Sequence, residues 1–329
     1  VAGFLLRRVL LLVPTLVGVS VIVFALVRLM PGDPVAAMLG VEPSTPEQAE
    51  LLRRQLGLDE PAHVQYLHFV ERLLHGDFGR SLVSQQAVSD LILHALPMTV
   101  ALAVAALLIA LLIALPLGVA SAVWRGSVFD SIARVLSITS VAAPTYWVGM
   151  LLIYFVAVRL GWLPPSGGGD YSLFEAIKSA ATEGNVAPLK ASLTHLALPA
   201  LTLGFGEVGI LTRLVRSSMI DTLGADFIAT ARSKGIAEVI VVVRHALRNG
   251  LIPVVTVLGL QLGALLGGAI VTETLFAWPG MGQLVVNAVY GRDYPIIQAT
   301  VLMFAIIRVT ASLVVDLSYG ILDPRVRYS

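Results

Sequence analysis

An all-α membrane protein with six transmembrane helices, and a small helical external subdomain after the first of them, is the fold class this sequence predicts. Three observations carry that reading. Apolar residues fill 57% of the 329 positions and charged residues only 13%, against about 45–50% and about 25% in a soluble domain. Four stretches, 9–27, 91–124, 135–158 and 249–272, contain no Asp, Glu, Lys or Arg, and each supplies the roughly 20 residues that a bilayer span needs. Two further apolar stretches are interrupted by charge: 195–214 by Glu207, and 296–318 by Arg308 and Asp316. The scarcity of charge excludes a soluble enzyme and a disordered chain. The net charge of +1 leaves no basic footprint for nucleic acid. With no cysteine there is no disulfide scaffold, thiol nucleophile or cysteine zinc site.

The elements follow in order. Residues 1–30 read as a cytoplasmic N-terminus and the first helix. Its apolar run of 19 residues after Arg7 and Arg8 exceeds the ~7–15 of a signal-peptide core, and Met30-Pro31-Gly32-Asp33 follows it in place of a cleavage site, so a retained helix is expected. Residues 31–97 form the external helical segment. Thr45-Pro46-Glu47-Gln48 carries a capping-box pattern with Pro at the first helical position, for a helix reaching Gly57. A second helix starts near Pro61, places Val64, Leu67, Val70 and Leu74 at helical spacing, and stops at Gly76. His63, His68 and His75 are read as surface histidines, since His63 and His68 do not share a helix face and no HExxH occurs; no metal is expected.

Residues 98–318 make a five-helix transmembrane core that includes a cytoplasmic loop, 213–248, and 319–329 is a cytoplasmic tail. The 161–195 connection is rich in Gly and Pro and has room for a short helix near 173–181. Orientation rests on the bias of basic residues. With both termini inside, 12 of the 22 basic residues occupy 66 cytoplasmic positions, and 14 of the 21 acidic residues lie outside.

The 213–248 loop holds half of those twelve basic residues. Residues 226–234 read as a short helix stopped by Gly235, and 237–247 as a second stretch leading into the fifth span. Asp226 suits the positive end of the short helix, and Arg232 and Lys234 the negative end. Such a unit either lies on lipid headgroups, which its basic residues would suit, or seats in a partner's groove. Ala229, Thr230, Ala231 and Gly235 are small enough for close seating. In the fifth span Gly259, Gly263 and Gly267 share one face, for tight helix packing or for lining a lumen. Glu207 and Arg308 each lie about 12 residues into their spans, near the midplane, where a charge is a functional hypothesis by default. Either they pair or each faces a lumen separately. Phe276, Trp278, Pro279 and Gly280 follow the fifth span outside, with Pro-Gly as a turn and Trp278 as a candidate interfacial anchor.

Several motifs resemble one family. Gly235, Ala231 and Leu247 match the Glu-Ala-Ala…Gly…Leu-Pro loop of ATP-binding-cassette importer permeases. Ala229 stands in place of the Glu, Thr230 in place of an Ala and Arg248 in place of the Pro. Pro31-Gly32-Asp33-Pro34, Gly76-Asp77-Phe78-Gly79-Arg80-Ser81 and Arg248-Asn249-Gly250-Leu251-Ile252-Pro253 are similar to the dipeptide/oligopeptide/glutathione/nickel branch. So are Glu273-Thr274-Leu275-Phe276-Ala277-Trp278-Pro279-Gly280-Met281-Gly282 and Leu322-Asp323-Pro324-Arg325.

The resemblance implies a permease subunit of the bacterial inner membrane, in contact with membrane lipid, that imports di- or oligopeptides or small peptides such as glutathione. Its partners would be a second homologous permease subunit, two ATPase subunits and an extracytoplasmic peptide-binding protein. The 226–235 segment would be the coupling helix, with Asp226, Ala229, Thr230, Ala231, Lys234 and Gly235 at the ATPase, and 276–280 an outer cap over the path. No cofactor is expected on this chain. The lysines follow Ile177, Leu189 and Ser233, so no Gly-Lys of a P-loop occurs, and ATP and Mg belong to the partners. The alternative class is a stand-alone secondary transporter or channel, which would need an ion site or an inverted repeat.

Overall fold

The computed structural model describes residues 2–29, 46–55, 59–168 and 173–322. Named in chain order, the helices are α1 (Ala2–Leu29), α2 (Pro46–Gln55), α3 (Ala62–Leu74), α4 (Val88–Val123), α5 (Val128–Ala142), α6 (Thr145–Leu152) with its wider π-helical continuation Ile153–Arg159, and α7 (Leu173–Glu183). They continue as α8 (Ala187–Leu223), α9 (Asp226–Ser233), α10 (Glu238–Gly250, with a π-helical middle), α11 (Ile252–Gly268), α12 (Ile270–Leu275), α13 (Met281–Gly291) and α14 (Tyr294–Leu322). No strand occurs among the described residues. Val88–Val123, Ala187–Leu223 and Tyr294–Val314 are each long and apolar enough to cross a membrane, and two bent helix pairs would raise that number to five. The apolar stretch Val13–Leu26 lies within α1.

One of those bends departs from the sequence reading of 135–158. The pair α5 and α6 turns by 104°. Its cause is local: Pro144 disfavours helical geometry in the residue before it, and Ala143 is extended at φ −71°, ψ 128°. The fourth span also runs further than expected, to Leu223 instead of 214. Leu211, Val215 and Met219, four residues apart, are all fully buried, so one continuous apolar stripe keeps the chain helical past Arg213 and Arg216. Proposed stops at Gly57 and the tail beyond 322 lie outside the described residues.

The chain forms two compact units. The first comprises Val1–Met98 and Pro279–Val309, so α13 and the start of α14 join the N-terminal segment. Val88, Ile92 and Ala95 of α4, Met281 and Ala288 of α13, and Tyr294, Ile296, Ile297 and Ala299 of α14 share its core, with Phe78 and Leu82 packed against it. Gly76, at φ +74°, ends α3. On that helix Phe69 is the buried residue, whereas Leu67 and Leu74 are exposed. Phe69 and Tyr66 meet Phe24 of α1 at ring-centroid distances of 5.8 and 5.2 Å, and Ser20 hydrogen-bonds Tyr66 at 2.8 Å. Aromatic packing therefore, more than the aliphatic stripe, fixes α3. Asp293 is buried and accepts from the Ser81 hydroxyl and from the Val83 amide at 3.3 Å, clasping the 76–87 loop.

The second unit comprises Thr99–Trp278 and Thr310–Arg327. Helix α8 is its hub. A Cβ on Gly204 would lie 2.6 Å from the Ala106 carbonyl oxygen of α4, and one on Gly209 would collide with Ser137 and Ser140 of α5. Glycine is thus the residue that lets these backbones touch. Leu211 packs with Ala110 and Ala114 of α4 and with Val257 and Leu258 of α11.

Candidate functional site

The 213–248 loop is built around α9. Ala225 leaves α8 in an extended conformation, φ −76° and ψ 151°, and Asp226 places its charge in the first turn. Gly235 closes the helix at φ +73°, and a Cβ there would meet nothing within 4 Å. The glycine is therefore required by backbone conformation and not by space. Across this turn Arg232 grips Glu238 of α10 through two hydrogen bonds, of 2.6 and 3.1 Å. The same hydrogen bonding raises the Arg232 guanidinium above its ordinary pKa.

Helix α9 has two unlike faces. Ile228 and Ala231 are buried in a cluster with Ala122 of α4, Val215 and Met219 of α8, Val241, Val242 and Ala246 of α10 and Val254 of α11. Asp226, Phe227, Ala229, Thr230, Ser233 and Lys234 are exposed. This sorts the residues that the sequence grouped together. Ala231 is 7% exposed and serves its own chain, so it leaves the set available to a partner, which Phe227 joins.

Next to this loop lies a clamp absent from the sequence reading. Asp130 is 1% exposed. Its carboxylate accepts Arg216 Nε at 2.7 Å and Nη2 at 2.9 Å, the Ser121 hydroxyl at 2.6 Å and the Gly126 amide at 3.0 Å. The bidentate pair joins the end of α4, the start of α5 and the lower part of α8. Asp130 falls between the uncharged stretches 91–124 and 135–158, and Arg216 falls in the 213–248 loop. The available signal was a lone acid in the first turn of a helix and a basic residue on the stripe of α8.

Higher on α8, Glu207 is partly buried. Its Oε2 is shielded and has no hydrogen-bond partner among the described residues. Arg308 is exposed and belongs to the first unit. Of the three fifth-span glycines, Gly263 is buried, and a Cβ on it would lie 2.8 Å from Ala311 Cβ of α14. Gly267 has nothing within 4 Å of a built Cβ, and Gly259 is half-buried.

Beyond α11, Glu273 is fully buried and accepts the Thr99 hydroxyl at 2.7 Å. Phe276 and Trp278 are 0% and 1% exposed, and Ala277 between them sits at φ +48°. The Gly167 amide donates to the Phe276 carbonyl at 2.7 Å. Trp278 is therefore an internal packing residue and not an interfacial anchor, because the left-handed turn at Ala277 directs the aromatic pair into protein. Pro279 and Gly280 follow, and Gly280 caps α13.

Two family descriptions match the chain. The N-terminal part of binding-protein-dependent transport system membrane components matches residues 1–103, and binding-protein-dependent transport system inner membrane component matches residues 114–328. The chain belongs to this permease family. It is 40% identical over 337 aligned positions to the dipeptide transport system permease protein of Escherichia coli (strain K12), covering 99% of this chain and 98% of that protein. It is 42% identical to the glutathione transport system permease protein of Salmonella choleraesuis (strain SC-B67), covering 99% of each. It is also 42% identical to the di/tripeptide transport system permease protein of Pseudomonas aeruginosa (strain UCBPP-PA14), again over 99% of each. Among solved structures, the inward-facing MetNI methionine ABC transporter superposes with a TM-score of 0.55 at 17% identity, over 71% of this chain and 96% of that one. That likeness shows the fold. In this permease, then, the loop and the Asp130–Arg216 clamp converge on α8.

Proposed function

We propose that this chain is one of two homologous membrane subunits of an ATP-driven bacterial importer for di- or oligopeptides or related small peptides such as glutathione. The observation that carries the reading is the two-faced α9, rooted in its own core by Ile228 and Ala231 and presenting Phe227, Ala229, Thr230 and Lys234 outward. A short cytoplasmic helix so rooted moves with α8 and α10 and hands displacement to the helical core. Two ATPase subunits carrying ATP and Mg would seat that face, and an extracytoplasmic binding protein would deliver the peptide. The names of the relatives support the cargo class.

The finer features follow from the same reading. Both termini lie in the cytoplasm, the external segment is 31–97, and Phe276, Trp278, Pro279 and Gly280 belong to an outer cap. Gly263 packs α11 tightly, while Gly259 and Gly267 widen the surface beside it. The test is co-purification and uptake. The tagged chain should bring down an ATPase subunit, and proteoliposomes of the complex should accumulate a dipeptide only with ATP inside and binding protein outside. Uptake by the chain alone, without ATP, would make it a secondary transporter or channel instead.

A further inference from the structure

Helix α5 is fastened to α8 near both of its ends. Towards the C-terminal end the backbones cross at Gly209, where a Cβ would collide with Ser137 and Ser140. At the start, Asp130 accepts from Arg216 Nε at 2.7 Å and from Nη2 at 2.9 Å. Arg216 lies about 10 Å further along α8 than Gly209, at ~1.5 Å per residue. A close crossing at one point leaves a pivot, and a second tie at that distance fixes the angle between the helices. The clamp reaches α4 as well. Ser121 donates to Asp130 at 2.6 Å and accepts from Arg216 Nε at 3.1 Å, so each of the three helices contributes one side chain.

This clamp stands beside the root of α9. Ala122 and Val215, the sequence neighbours of Ser121 and Arg216, belong to the cluster that buries Ile228 and Ala231. Among the described residues α5 contributes nothing to that cluster, so Asp130 connects the start of α5 to it. Here α4 and α8 meet over small surfaces: a Cβ on Gly118 would lie 2.7 Å from Val215 Cβ and 2.9 Å from the Thr212 carbonyl oxygen. Such surfaces permit close approach but present few side-chain ridges against sliding. A bidentate guanidinium–carboxylate pair fixes distance and orientation together. A buried ion pair is weak evidence for stability, since apolar residues of similar volume often serve as well. What the pair adds here is one defined arrangement of three helices.

We propose that Asp130 and Arg216 are positioning residues for transport, making α4, α5 and α8 turn as one body when α9 is displaced. This rests on the importer reading above. The clamp then governs how much peptide moves for each ATP hydrolysed, which a merely structural pair would not do once the complex has assembled.

The test uses the full complex in proteoliposomes with binding protein and alanyl-alanine, and measures uptake and ATP hydrolysis in the same vesicles. Two variants are compared with wild type. Asp130→Leu with Arg216→Met replaces the pair by apolar groups. Arg216→Lys keeps the charge and loses the planar fork. In the assembled double variant the peptide moved per ATP should fall by about three-fold or more, the scale on which a single coupling contact acts, with a smaller fall in Arg216→Lys. A wild-type ratio in the double variant, even with uptake and hydrolysis reduced together, overturns the proposal and leaves the importer reading intact. If the double variant does not assemble, the same ratio in Arg216→Lys decides. Loss of assembly there too assigns the clamp to folding alone and overturns the proposal. If wild type takes up no alanyl-alanine under ATP, the importer reading itself falls, and this role with it.

Discussion

Asp130 shows how much one side chain can organise in this chain. With 1% exposure and four hydrogen-bond donors from three separate segments, it can be removed only by leaving Arg216 without its partner. Breaking a buried pair by deleting one member costs about 3–5 kcal/mol, whereas replacing both with apolar groups is often neutral. Thermal unfolding of the purified protein should therefore rank Asp130→Asn and Arg216→Met well below wild type. The double variant Asp130→Leu with Arg216→Met should lie above either single one. A double variant as unstable as the sum of the singles would argue against the clamp. Glu207 was legible in the sequence because a lone acid stands out in an apolar run. Asp130 was not, because hydropathy assigns residues beside span ends to loops and carries no information about which distant charge completes them.

At the scale of the element, α9 was placed by sequence to within one residue, since an acid at its start and a glycine after its end are local signals. Which face is buried was not legible. Ala229, Thr230 and Ala231 are alike in size, and only the neighbours Val215, Met219 and Val241 decide that Ala231 turns inward. The bend at Ala143–Pro144 follows from local chemistry, yet its 104° angle depends on where α5 and α6 pack. For α9 the decisive position is Gly235. Its φ of +73° in open space means that a substitution is penalised by backbone strain, about 1–3 kcal/mol for a non-glycine residue held there. Asn tolerates this region far better than Val. Gly235→Val and Gly235→Asp should insert into the membrane at normal levels yet lose ATPase assembly or ATP-driven uptake, with Gly235→Asn least affected. Equal uptake by the Val variant would remove Gly235 from the coupling role.

At the scale of the whole molecule, long apolar helices were readable because hydrocarbon demands them and that requirement is local; among the described residues three are long and apolar enough to cross a membrane, or five if each bent pair is one span. The division into two units was not readable. It joins Val88 and Ile92 to Met281 and Ile297, across nearly two hundred positions, and only packing brings them together. The absence of cysteine turns the proposed orientation into a direct experiment. Thr182→Cys, just before α8, and Ser233→Cys, at the end of α9, are both exposed positions. A membrane-impermeant maleimide should label Thr182→Cys in right-side-out vesicles and Ser233→Cys only in inverted ones; the reverse pattern would invert the topology. The length of α8 has a mechanical consequence. Its 37 residues span about 55 Å at ~1.5 Å per residue, well beyond the ~30 Å of the hydrocarbon core. From Glu207 to Leu223 there is neither proline nor loop, only about 24 Å of unbroken helix. Torque applied at the foot of that shaft, where Met219 grips α9, arrives at Glu207 without a joint to absorb it. Pro199, on the far side of Glu207, is the first point along α8 where the shaft can flex.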